Sequence, residues 1–164
     1  MEKWSFFLTA RLYNLDKRKI KKLSILKRFV FVEDKHIHYR RVGVGPPTIL
    51  LHESPKTSAA HTELMNFLSK SFTVFAFDTP GFGRSDALTK DKNKIKDFAD
   101  IIVKTLSVLK ISKCVVFGNH TGACIALEIA RRHPELITGL VVESLPIFEE
   151  KETRKIIKKF FPPL

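Results

Sequence analysis

Apolar positions along the chain follow two different periods. Arg28–Glu33 (RFVFVE) alternates apolar and polar residues with period two, as a half-buried strand does. Asp34-Lys35 reads as a tight turn and His36–Val42 (HIHYRRV) as a second strand, so together they predict a hairpin. Thr48–Leu51 (TILL) and Phe72–Phe77 (FTVFAF) are short, mainly apolar runs, the pattern of strands buried on both faces of a parallel sheet. Between them, Thr57 or Ser58 can cap a helix running to about Ser69, with Leu64, Phe67 and Leu68 turned inward. Ile95, Phe98, Ala99, Ile102, Leu106 and Leu109 then recur at helical spacing. Ser112–Phe117 predicts a strand, Gly122–His133 a helix stopped by Pro134, and Leu140–Val142 the start of another strand. Strands alternating with helices predict an α/β fold: a three-layer α/β/α sandwich whose mostly parallel sheet begins with an antiparallel hairpin. Ligands in such sheets sit at the C-terminal ends of the strands.

Three loops leave those ends: His52–Pro55, Gly118–Gly122 and Glu143–Pro146. The middle one carries the sharpest signal. Its spacing, Gly-x-His-x-Gly, fits the nucleophile elbow Gly-x-Ser-x-Gly, with His120 where the serine stands. Gly118 and Gly122 are required there because strand and helix backbones approach too closely for a Cβ.

Composition narrows the function classes. The 164 residues suffice for one domain with a sizeable core. With 44% hydrophobic and 28% charged residues the chain is globular in type, not disordered. A formal net charge of +12 favours anionic partners, but the charges are dispersed, which fits a solvated basic surface. No zinc-ligand spacing and no glycine–aromatic box points to nucleic acid, so no nucleic-acid partner is expected. Cys114 and Cys124 make neither a disulfide framework nor a metal set; as buried free thiols they suit a reducing, cytoplasmic setting. His36 and His38 share one strand face without a third ligand, so a solvated hairpin face is expected and no metal. His61 and His133 are expected on helix surfaces, and His52 bonded to nearby loop backbone. No apolar run reaches the roughly 18–20 residues that span a bilayer. Residues 1–27 form a basic extension, packed on the domain or in weak contact with a membrane surface.

Read together, four features resemble the N-terminal part of an α/β-hydrolase over residues 28–148. They are the opening hairpin, His52-Glu53-Ser54-Pro55 where the family usually has His-Gly-x-Pro, Asp78-x-Pro80-Gly81-x-Gly83-x-Ser85-Asp86, and the elbow. Arg131-Arg132-His133-Pro134-Glu135 after the elbow helix is also typical. The likeness is strongest to the branch of haloalkane dehalogenases, epoxide hydrolases and carbon–carbon bond hydrolases. The resemblance implies hydrolysis of a small ester-, epoxide- or halide-type substrate without a cofactor. It implies an oxyanion hole from the backbone N–H groups of Ser54 and Thr121, a loop-shaping role for Asp78, and His120 at the nucleophile position. Glu143 stands where some haloalkane dehalogenases carry their acid. It is the candidate partner that fixes the His120 tautomer and raises its basicity, so that His120 activates water or attacks directly.

Departures from the family pattern qualify that expectation. The family uses Ser, Cys or Asp at the elbow, and Glu53 replaces a glycine. The family's triad histidine and usual acid follow its last and seventh strands, whereas this chain stops after about the sixth. A truncated chain is therefore expected: an incomplete core over 28–148, the start of a lid-like helical segment over 149–164, and an exposed apolar edge at the Leu140 strand. Activity is expected of a full-length form and little of this chain alone. The alternative is a catalytically inactive member that binds a ligand or a protein.

Overall fold

A computed structural model describes residues 24–146. The readings for the segment 149–164, and for the extension up to residue 23, lie outside those residues. Among the described residues, six strands form one sheet in the order β1-β2-β4-β3-β5-β6. They are β1 (Leu26–Val32), β2 (Lys35–Val42), β3 (Pro47–Leu51), β4 (Thr73–Phe77), β5 (Cys114–Asn119) and β6 (Ile137–Glu143). β1 with β2 and β2 with β4 run antiparallel; β4, β3, β5 and β6 are mutually parallel. This is the mixed α/β sheet that the patterning predicts.

The hairpin turn lies one residue earlier than expected. Glu33 and Asp34 adopt φ of 47° and 61°, and Val32 pairs with Lys35. Two positive φ values in a two-residue loop match the right-handed twist of the flanking strands.

Alternation within the central strands builds a core on each face. Ile49 and Leu51 join Phe75, Phe77 and Val116 under α2 (Ile95–Val108) and α3 (Thr121–Arg132). Leu50, Val74 and Ala76 face the other way, onto Met65 of α1 (Thr62–Leu68). On α1, Met65 is the fully buried side chain, with Leu64 and Leu68 partly buried beside it. At the far edge, β6 has no strand on its outer side among the described residues. Leu140, Val141 and Val142 are 36%, 47% and 39% exposed there, the apolar edge expected from the sequence.

The entry to α1 overturns one expectation. Thr57 does cap, accepting the Ala59 N–H, but it caps a 3-10 turn over Ser58–His61 that precedes α1. That turn carries His61 inward instead of leaving it on a helix surface: it is 7% exposed, and its ring meets Phe117 edge-on at 5.6 Å. Burial, then the nearby His52, pushes the His61 imidazole down to about 4. His133, at the end of α3, does stay at the surface, half-buried with its Nδ1 3.4 Å from Glu135.

Two glycines let α3 lie directly on the sheet. A Cβ on Gly122 would stand 2.2 Å from the Leu51 carbonyl oxygen, and one on Gly118 2.3 Å from the Gly122 carbonyl oxygen. Both obstacles are backbone and cannot turn aside.

Two outcomes follow. Gly122→Ala is expected to cost at least about 3 kcal/mol or to prevent folding. In a urea titration Gly139→Ala is the control: its Cβ would meet only the Val115 side chain, at 3.4 Å. Equal midpoints would contradict the contact. The second outcome concerns pH. Folded His61 titrates near 4 against an ordinary 6.5, so between those values the unfolded chain binds more protons. The stability contribution is complete above pH 6.5 and declines as pH falls toward 4, by up to about 3 kcal/mol. His61→Leu is expected to flatten that part of the stability–pH curve; an unchanged slope would contradict it.

Candidate functional site at the strand ends

The candidate residues converge where β3, β5 and β6 end. β5 stops at Asn119, α3 starts at Thr121, and the whole reversal is made by His120, at φ 52° and ψ −113°. A left-handed conformation at a non-glycine residue costs of order 1–3 kcal/mol and persists only where its surroundings fix it. Here the His120 N–H donates to the Glu143 carbonyl at 2.9 Å, and its own carbonyl accepts the Ala123 N–H at 3.0 Å. The imidazole is half-buried, and its Nδ1 is buried with no hydrogen-bond partner among the described residues.

Glu143 thus meets His120 through the main chain. Its carboxylate is exposed and accepts from Asn119 Nδ2 at 3.2 Å. Among the described residues no hydrogen bond or ion pair joins that carboxylate to the imidazole.

The two residues expected to give the oxyanion donors, Ser54 and Thr121, lie against one another. Ser54, in the loop after β3, donates its N–H to the Thr121 hydroxyl at 2.7 Å, and that hydroxyl lies 3.2 Å from Ser54 Oγ. The Thr121 N–H belongs to the first turn of α3, where amides lack an acceptor inside the helix. Glu53, standing where the family has glycine, is not among the residues with left-handed backbone, so its Cβ brings no strain. Its carboxylate pairs with Lys56 at 2.5 Å.

Behind these loops lie groups whose partners are complete. His52 Nδ1 donates to the Glu53 carbonyl at 2.9 Å, and Nε2 accepts the Thr79 N–H at 2.9 Å. That pattern fixes a neutral imidazole, and burial lowers its pKa further. It is the bonding to loop backbone expected of His52. Asp78, at the end of β4, accepts three bonds: the Ser58 N–H at 2.7 Å, His38 Nδ1 at 2.8 Å and the Arg84 N–H at 3.0 Å. Burial works to raise its pKa, but the bonds from Ser58 and Arg84 and the neighbouring His38 outweigh that and lower it.

His38 corrects a second expectation. Its face of the hairpin is not solvated: His38 is 1% exposed, closed over by the loop from Asp78 to Asp86, while His36 alone stays in water against Asp86. Ser85 completes the seal, accepting the His38 N–H at 2.9 Å and donating to the Asp78 carbonyl at 2.7 Å. The contact spans 40 residues of sequence, and no periodicity within the hairpin signals it. The available signal was Asp78 itself, a carboxylate at the end of a fully buried strand.

Among the described residues no cluster of His, Cys, Asp or Glu could hold a metal ion, and no helix is long and apolar enough to cross a membrane. Cys114 and Cys124 are free thiols, and burial pushes Cys114 up to about 11 and raises Cys124 as well.

The chain is similar to known proteins in sequence and in fold. A proline iminopeptidase of Arabidopsis thaliana is 30% identical over 125 residues, which cover 74% of this chain and 33% of that protein. A pimeloyl-(acyl-carrier protein) methyl ester esterase of Shewanella woodyi is 32% identical, over 71% of this chain and 43% of that protein. An epoxide hydrolase structure from Vigna radiata superposes with a TM-score of 0.73 at 22% identity, covering 80% of this chain and 46% of that one. The chain spans between a third and a half of the length of these proteins. The sequence model of the α/β hydrolase fold matches residues 46–162, in which the elbow and both flanking loops fall, and the chain belongs to that family.

Proposed function

We propose that the protein is a hydrolase of a small ester-, epoxide- or halide-type substrate in which His120 acts as the reacting base. The observation that carries this reading is the backbone of His120. A residue held at φ 52° by the fold sets its ring at the N-terminus of α3, with one ring nitrogen unbonded among the described residues.

For an ester, His120 takes a proton from water, and the resulting hydroxide attacks the carbonyl carbon. The carbonyl oxygen becomes an oxyanion held by the Thr121 amide, joined by that of Ser54 once the Thr121 hydroxyl releases it. Collapse expels the alkoxide, which takes the proton back from the imidazolium. Glu143 serves as the acid partner by turning its carboxylate from Asn119 to the imidazole when substrate is bound. The small molecule is the partner, and two free thiols suit a cytoplasmic protein.

A second reading, a non-catalytic member that binds a ligand or protein, is favoured by one observation: the Glu143 carboxylate rests on Asn119. Turnover separates the two. The protein, expressed from its complete reading frame, is assayed with p-nitrophenyl butyrate, styrene oxide and 1-bromobutane. One class is expected to be hydrolysed, with kcat lower by roughly 100-fold in His120→Ala and about tenfold in Glu143→Gln. Equal turnover in His120→Ala contradicts the proposal, and binding without turnover of any of the three favours the second reading.

A further inference from the structure

We propose that the Thr121 side chain keeps the Ser54 amide from a ligand oxygen, so that Thr121 sets how strongly the elbow binds a carbonyl or carboxylate group. This rests on the assignment of the Ser54 and Thr121 amides as oxyanion donors.

An amide has one hydrogen to donate. That of Ser54 is directed at Thr121 Oγ1 at 2.7 Å, the short end of the N–H···O range. Thr121 is 8% exposed, and its hydroxyl is held again by Ser54 Oγ at 3.2 Å. The pair is closed on itself: the loop after β3 is tied to the first residue of α3 by the donor that a substrate oxygen needs. A ligand therefore meets the α3 amides first. It gains the Ser54 amide only when Thr121 changes rotamer, and a β-branched side chain at a helix start has few rotamers to choose from. Thr121 is a positioning residue, acting through Ser54. Its sequence neighbour His120 carries the reaction, but residue 121 decides how many donors await the charge.

The test uses amide NMR signals and butyrate as the probe, so it needs no turnover. In the wild-type chain the Ser54 amide is expected to be protected from hydrogen exchange and unmoved by butyrate, while the Thr121 amide shifts. Thr121→Val keeps the shape and removes the acceptor. Its Ser54 amide is expected to exchange faster, to shift with butyrate, and to accompany binding about tenfold tighter. Thr121→Ser is expected to behave as wild type. The proposal is overturned if butyrate moves the wild-type Ser54 amide as far as that of Thr121→Val. It is equally overturned if Thr121→Val binds butyrate no tighter, undetectable binding included. An absence of hydrolysis would count against the proposed reaction and leave these signals readable.

Discussion

The Leu51 carbonyl oxygen lies 2.2 Å from where a Cβ on Gly122 would be, and the C-terminal end of the sheet is arranged by that contact. It brings the axis of α3 down onto β3. With Gly118 closing from below, the chain between β5 and α3 has a single residue in which to reverse. His120 must then take left-handed backbone, and the conformation is retained because its N–H finds the Glu143 carbonyl on β6. The same descent sets Thr121 against Ser54. Three strand ends are thus joined through one helical turn, by contacts that do not use the His120 side chain.

A division of labour among the ionisable groups accompanies this. His52 and Asp78 have their bonding filled by loop backbone and by His38, and each is held in one charge state. Their hydrogen bonds tie the loops after β3 and β4 to one another. His120 differs from them. It is anchored by its backbone, and its imidazole retains an unbonded nitrogen. Buried polar atoms without partners are costly, and His38 Nε2 and His61 Nε2 share that state; under the proposed function the His120 ring is the one that meets substrate.

Most of the fold was legible because its signals are local. Period-two and continuous apolar runs located all six strands, and helical spacing located α2 and α3. The elbow was legible because two glycines at fixed spacing encode a backbone collision. Most of what escaped was non-local. His38 looked like a surface residue because the loop that buries it returns from 40 residues away. His61 looked exposed because a 3-10 turn changes the face that a helical pattern presents. The bond between Ser54 and Thr121 spans 67 residues and joins two positions that the family motifs mark only for their amides.

The central claim is that the imidazole at the apex performs the chemistry. Chemical rescue tests it most directly. With the substrate class that the wild-type protein hydrolyses, added 4-methylimidazole is predicted to restore turnover to His120→Ala. The restoration should saturate, exceed the reaction without protein, and be absent from His120→Phe, whose ring fills the same space. A His120→Ala protein that gains nothing beyond the background rate would contradict the account.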